Sequence, residues 1–470
     1  MRRTFTLSVA VAFAVLLVSA VWGSAAREAE GASDKKPNIV FILADDMRKD
    51  DLKYMPKTRS VLGDKGMTFS NAYVSNALCC PTRATIMRGQ YSHNTGVWTN
   101  KGSSGGLQAY RNNSNEKDNV ATRLDDAGYR TGLFGKYLNQ YSDTKGKPPG
   151  WDRWFAHTSG SRYYNYKIND DGRIINYGSS SADYETDGIA NKAKSFIGTT
   201  AKAGDPFFAY VAPRAPHSPA TPATRDQHAY DGLKAPRLPS FDEKNVADKP
   251  PWIKKLPRLS DAKKAKIDNR AEKRAETLQA LDDLVAEIVS RLNDSHVLSR
   301  TYIFFTSDNG WHAGEHRIQK EKWRPYEEDV SVPLLVRGPG VPSRHQAHKL
   351  VLDTDYLPTF TDLADVHTPN YVDGRSLRPV LEGNSTAWRS AIMLEAAAHY
   401  SPAYRGILTS DGRKYVKYAS GKKELYHLRH DPYELRDSYD PDDPPATLAK
   451  RLKKLRSCAA DSCRAAENGQ

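Results

Sequence analysis

Two uninterrupted apolar runs, NIVFIL (38–43) and YIFF (302–305), lead into oxygen-bearing side chains: Asp45-Asp46 after the first, Asp308-Asn309 after the second. A strand wetted on one face alternates apolar with polar residues, so a continuous run implies a strand covered on both faces, as in a parallel sheet between helices. TGLFGKY (131–137), FFAYVAP (207–213) and VPLLVRGP (332–339) read the same way. Leu278, Leu281, Leu284, Val285, Ile288 and Leu292 mark the apolar face of a helix feeding directly into TYIFFTSD. This alternation predicts an α/β fold, a large mostly parallel sheet flanked by helices. It fades after about residue 385. There the short strands SAIMLEA and RKYVKYA, the segment ELYHLRHDPYELRD and the basic helix LAKRLKKLRS predict a smaller C-terminal α+β subdomain. The expected domains are therefore 37–385 and 386–470. Residues 98–118 and 214–260, rich in Gly, Ser, Asn, Pro and charge, are expected as long surface loops of the kind that often carry function. There is no internal repeat.

Residues 1–26, MRRTFTLSVAVAFAVLLVSAVWGSAA, combine paired arginines, an apolar run from Val9 to Val18 and small residues suited to peptidase cleavage. They are expected to be an export signal, giving a secreted or otherwise exported chain, and Arg2-Arg3-Thr4-Phe5 resembles a twin-arginine signal. The run falls short of the ~20 apolar residues that span a bilayer, so no membrane span is expected. The formal net charge of +13 favours anionic partners. Its densest stretch, Lys254 to Arg274, is expected to be a solvated helix face. Asn112, Asn293 and Asn384 head glycosylation sequons.

Export permits disulfides, and Cys458 and Cys463 are expected partners. Cys79 and Cys80 are adjacent; Cα atoms across a trans peptide lie ~3.8 Å apart, below the ~4.4 Å where ordinary disulfides begin. At least one of them is expected to have chemistry of its own. Pro81 suits the first position of a helix, whose free N–H groups would face an anion near Cys79. Arg83, four residues on from Cys79, returns to the same side of that turn. The two acidic pairs can converge beyond the carboxyl ends of their strands. Three carboxylates and an amide, with no imidazole or thiolate, suit Ca²⁺, with Mg²⁺ as the alternative. An Asp after a strand is also a common turn former, so either pair alone would say little.

C-C-P-T-R (79–83) resembles the C-x-P-x-R signature of the formylglycine-dependent sulfatases, within the alkaline phosphatase superfamily. Further matches run from Asn38 to about Asp437: ADD (44–46), SDNG (307–310), GKYLNQY (135–141), APHSP (215–219), Lys322 with Tyr326-Glu327, VPLLVRGPG and ELYHLRHDPYELRD. The resemblance implies an alkaline-phosphatase-like fold and oxidation of Cys79 to formylglycine by a maturation enzyme. It makes Asp45, Asp46, Asp308 and Asn309, with the modified Cys79, the metal ligands. Cys79 and Arg83 become the nucleophile and its activator, and Lys136, His217 and Lys322 become catalytic sulfate-binding residues. His312 and His316, in WHAGEH, are expected to line the pocket, with His312 touching substrate.

In such an enzyme one hydroxyl of the hydrated aldehyde attacks sulfur and the other then expels sulfate by C–O cleavage. Two departures from the family pattern stand out. Leu138 occupies the place of a histidine thought to assist elimination, and Thr82 replaces the more usual serine. CCPTRATIMRGQYSHNTGV, GKYLN, GWDRWFA and YYNY are most similar to N-acetylglucosamine-6-sulfatases, which implies a sulfated sugar substrate and no nucleic-acid partner. Two other readings remain open at this point: a phosphonate or phosphodiester monoesterase with the same nucleophile, and a non-catalytic polyanion binder on a sulfatase scaffold.

Overall fold

The computed structural model describes residues 35–470 other than 143–144, 159, 161, 385–386 and 399–401. The expected export signal, residues 1–26, and the expected domain boundary at 385/386 lie outside the described residues. Strand β1 (Asn38–Ala44) is buried along its whole length. Ile39, Phe41 and Leu43 enter one core while Val40, Ile42 and Ala44 enter another, which is why its sequence does not alternate. Eleven further strands follow as far as residue 352. They are β2 (Met67–Phe69), β3 (Ala72–Tyr73), β4 (Arg130–Gly135), β5 (Arg153–His157), β6 (Lys167–Asp170), β7 (Arg173–Asn176) and β8 (Phe207–Ala212), then β9 (Thr301–Ser307), β10 (Leu334–Arg337), β11 (His345–Ala347) and β12 (Val351–Leu352).

Ten of these strands form one sheet in the order β11-β2-β10-β9-β1-β8-β4-β5-β6-β7. The centre is parallel, with β1 between β8 and β9 and with β4 and β5 continuing outward. Antiparallel strands close both sides, β10 on β9 and β6 on β5. VPLLVRGP thus enters the sheet antiparallel. A parallel return needs a crossover, usually helical. The segment after β9 has only the single turn Glu327–Val330 before β10, and its residues 308, 309 and 322 build the site, so the chain re-enters near the edge it left.

Helix α1 (Cys79–Arg88) stands at the site, and α2 (Gly106–Asn112) lies within the stretch expected to be a surface loop. That expectation is corrected: Leu107, Ala109 and Tyr110 are buried, a short apolar face hidden among Gly, Ser and Asn. Helices α3 (Glu185–Ala203) and α4 (Asp261–Asp294) cover one side of the sheet, through Ile189 and Ile197 and through all six predicted apolar residues of α4. Ser260 caps α4, its side chain accepting from the Lys263 backbone N–H. Helix α5 (Tyr356–Leu363) covers the other side, with the Phe360 ring 5.4 Å from Phe41 and 5.1 Å from Phe304.

The C-terminal strands β13 (Ala391–Ala396), β14 (Tyr404–Thr409), β15 (Arg413–Tyr418) and β16 (Lys423–His427) form an antiparallel sheet in that order. Helix α6 (Ala446–Leu455) lies on it, and its Leu448, Leu452 and Leu455 share a core with β13–β15 and with the α5 side of the large sheet. Cys458 and Cys463 form the expected disulfide, whereas Cys79 and Cys80 are free and buried.

Candidate active site

Successive side chains of a strand point to opposite faces, so two consecutive aspartates cannot both serve one site while the backbone stays extended. Asp46 leaves β1 with φ 65°, in the left-handed region that Asp tolerates better than most residues. Asp45, Asp46, Cys79 and His217 then bring one ligand atom each to within 4.8 Å of one another. Arg274 of α4 holds the turn, Nη2 donating to the Asp46 carbonyl oxygen at 2.6 Å and to Asp51 Oδ2 at 2.9 Å. This corrects the solvated-face expectation for the basic run, since its last cation points inward and is buried.

Ala44 is in register with Ser307, so the next residues on the two strands, Asp45 and Asp308, stand side by side. The Asp46 N–H donates to Asp308 Oδ1 at 3.1 Å, and Asn309 Nδ2 donates to Asp46 Oδ1 at 2.8 Å. Among the described residues Asp46 Oδ2 and Asn309 Oδ1 are buried without a hydrogen-bond partner. A half-turn of the Asn309 amide would aim its oxygen at Asp46 instead. Two buried oxygens without donors, within an all-oxygen set of three carboxylates and an amide, fit a hard divalent cation.

Helix α1 begins at Cys79, two residues before the expected Pro81 start. Proline is tolerated at its third position because the first four helical N–H groups lack intrahelical partners. Cys79 Sγ lies 3.5 Å from Asp45 Oδ1, 3.8 Å from Asp46 Oδ1 and 2.7 Å from Lys322 Nζ. Arg83, one turn on and fully buried, donates Nε to Asp308 Oδ2 at 2.8 Å and Nη1 to the Lys136 carbonyl oxygen at 2.9 Å. Lys136 follows β4, and its Nζ bonds Asp45 Oδ2 at 2.6 Å. Lys322 Nζ also bonds Asp46 Oδ1. His217 Nε2 lies 3.7 Å from Asp46 Oδ2, and its Nδ1 donates to the Ser218 carbonyl oxygen.

Burial alone would discharge these carboxyls, but Lys136, His217 and Arg83 outweigh it at Asp45 and hold that group well below the usual carboxylate range. Asp46 is lowered the same way, burial being overcome first by Lys322. Asp308 is raised, because burial and the neighbouring Asp45 outweigh Arg83 and Lys136. Burial pushes the Cys79 thiol up to about 12 despite both lysines. An unmodified Cys79 is thus a protonated thiol at neutral pH and a poor nucleophile.

Lys136, Leu138, His157, Arg214 and His217 line a cavity of about 210 Å³ at this site. His157, Arg214 and their partner Glu185 escaped the sequence reading. Glu185 Oε1 accepts from His157 Nε2 at 2.7 Å and from the Arg214 backbone N–H at 3.1 Å, and His157 Nδ1 has no hydrogen-bond partner among the described residues. Arg214 directly follows FFAYVAP, a charge at a strand's carboxyl end, and that signal was available. His157 ends β5, a strand without a long apolar run. His312 and His316 do not line the pocket as expected. Both are 0% exposed, their Nδ1 atoms bound at 2.7 Å to Asp329 and Glu243. The bend of the loop after β9 turns these rings toward acids behind the pocket.

The sulfatase family model matches residues 37–366, and the model of the N-sulphoglucosamine sulphohydrolase C-terminal region matches residues 314–460. The chain belongs to the sulfatase family. As a sulfatase it is a sulfuric ester hydrolase. It is 33% identical over 483 residues to a Homo sapiens N-acetylglucosamine-6-sulfatase, covering 92% of this chain and 87% of that one. It is 35% identical over 387 residues to the extracellular sulfatase SULF-1 homolog of Drosophila melanogaster, covering 80% of this chain but only 34% of that longer relative. A protein solved in complex with its substrate D-glucosamine-2-N,6-O-disulfate superimposes with a TM-score of 0.77 at 22% identity, covering 93% of this chain and 100% of that one. No helix among the described residues is long and apolar enough to cross a membrane.

Proposed function

We propose that this sulfatase hydrolyses sulfate esters of sulfated sugars, with 6-sulfated N-acetylglucosamine as the leading candidate, using a formylglycine made from Cys79 and a bound Ca²⁺ or Mg²⁺. The observation that carries the reading is the convergence of Asp45, Asp46, Asp308 and Asn309 beside a buried Cys79 that two lysines flank. The names of the human relative and of the substrate in the solved complex support the choice of sugar.

A sulfate monoester shields its sulfur with three oxygens sharing one negative charge, so its hydrolysis needs that charge neutralised and the ester held in line. Lys136 and Lys322, paired here with Asp45 and Asp46, would take sulfate oxygens. His217 Nε2 faces the same space, its ring orientation set by the Nδ1 bond to Ser218. Arg83 fixes Asp308 through two nitrogens and, by its bond to the Lys136 carbonyl, ties α1 to the end of β4. A cation held by Asp45, Asp46, Asp308 and Asn309 would add Lewis-acid stabilisation of negative oxygen. The hydrated aldehyde at position 79 would supply a hydroxyl nucleophile where the thiol, titrating near 12, cannot act as one.

Mass spectrometry of the tryptic peptide Gly66–Arg83 tests the nucleophile. Conversion of Cys79 lowers its mass and makes it reactive to hydrazides; an unmodified peptide from fully active enzyme rejects the reading. Sulfate release from N-acetylglucosamine 6-sulfate, compared with turnover of nitrophenyl sulfate and phenyl phosphonate, tests the substrate. Preference for the phosphonate would move the assignment to the monoesterase.

A further inference from the structure

A groove of about 610 Å³ lies between α6 and the β14–β16 face, and it shares no lining residue with the catalytic cavity. Its volume falls within the ~300–1,000 Å³ of small-ligand sites. One wall is a row of cations across three strands, with Arg405 directly opposite Lys417 and Lys417 directly opposite Lys423. Like charges directly opposite one another destabilise a sheet, so the fold gains nothing from the row. The other wall is α6, where Lys453 and Arg456, three residues apart, reach the same groove. Tyr415 and Tyr418 line it as well, and among the described residues no aspartate or glutamate does.

Few of these charges are answered within the protein. Arg405 Nε lies 3.4 Å from Glu395, and Lys423 donates to the Tyr439 hydroxyl at 2.8 Å. Among the described residues, exposed Lys417, Lys453 and Arg456 pair with no carboxylate. Glu424, next to Lys423 in sequence, is buried and bonded to Tyr326, Tyr418 and Tyr426, while Asp440, Asp442 and Asp443 are exposed in the segment before Pro444. Guanidinium and ammonium groups converging in a concave, partly apolar channel suit sulfate and carboxylate groups on a narrow chain. A flat bilayer could not enter the channel.

We propose that this groove binds a segment of a sulfated oligosaccharide at a second, non-catalytic site that retains a polymeric substrate between cleavage events. The proposal rests on the reading of sulfated sugars as substrates, but its test measures binding without turnover. Lys417→Ala/Lys453→Ala/Arg456→Ala raises the Kd for a heparin-derived octasaccharide about tenfold in roughly 0.1 M NaCl, while kcat on nitrophenyl sulfate stays unchanged. Lys254→Ala/Lys263→Ala/Lys266→Ala removes the same charge from the first turns of α4 and the segment before it, and shifts the Kd less than about twofold. An unchanged Kd in the first triple variant, an equal loss in the second, or equally tight binding of single-stranded DNA of matched charge overturns the proposal. Intact octasaccharide binding with no sulfate ester turned over would sink the catalytic reading and leave the groove standing.

Discussion

Two buried clusters of ionisable groups lie along the same loop, and they dispose of charge in opposite ways. At the pocket Asp45 and Asp46 are kept ionised against burial by Lys136, which lines the cavity, and by Lys322. Behind it, around His312 and His316, burial pushes the Glu328 carboxyl up to about 8 and Glu243 up to about 7. There Asp329 Oδ1 bonds His312 Nδ1 and its Oδ2 accepts from the Arg324 backbone N–H at 2.9 Å, two residues beyond Lys322. Asp45 and Asp46 stay charged at the pocket, where Asp308 alone of the three carboxyls is pushed up, whereas Glu328 and Glu243 both move toward neutrality. The first cluster is therefore suited to chemistry, and the second to fastening the loop that carries Lys322.

That division can be broken at either end. Cys79→Ala is expected to lower turnover of sulfate esters by on the order of 10⁴-fold or more with the thermal midpoint held; substantial residual turnover would place the chemistry elsewhere. Lys322→Ala should cost about 10²–10³-fold in kcat, and a loss below tenfold would reduce it to a structural cation. Asp329→Ala strips acceptors from His312 and Arg324, so urea unfolding should show a loss of roughly 2–4 kcal/mol. Turnover per folded molecule should fall less than about tenfold; a collapse in kcat at full stability would merge the two clusters into one site.

The smallest effect is on pH dependence. Burial, followed by Arg214, depresses His157 to about 4 from the ordinary 6.5. As pH falls through that window the unfolded chain takes up a proton that the folded chain refuses, so stability is full above 6.5 and drains away toward 4. His157→Gln should flatten this slope by at most ~1.4 kcal/mol per pH unit. An unchanged slope in denaturation midpoints between those pH values would show that the ring is charged in the native state.

What the sequence made legible follows from where burial is two-sided. β1, β4, β8, β9 and β10 announce themselves as apolar runs, and the acids ending β1 and β9 are placed by their strands alone. Strands β2, β3, β11 and β12 are two or three residues long, and β5–β7 lie toward an edge where the pattern is mixed; their existence depends on partners distant in sequence. Lys136, His217 and Lys322 have no local signal and come only through family resemblance. Arg274 looked like one more charge in a basic run because nothing in periodicity says which cation meets a backbone carbonyl. His312 misled because a histidine next to SDNG is near the pocket in sequence, while the loop's turn decides which way it points.

The near-total burial of Cys79, at 1% exposure, sets a schedule. No second protein can grip a side chain enclosed by β1, β9 and the Lys322 loop, so an enzyme meant to oxidise this sulfur has to meet the chain while residues around 79 are still an open strand. Under the formylglycine reading proposed above, activity would be decided once, during the interval between synthesis and closure. On that reading, a copy that folded too early would carry its thiol sealed for life.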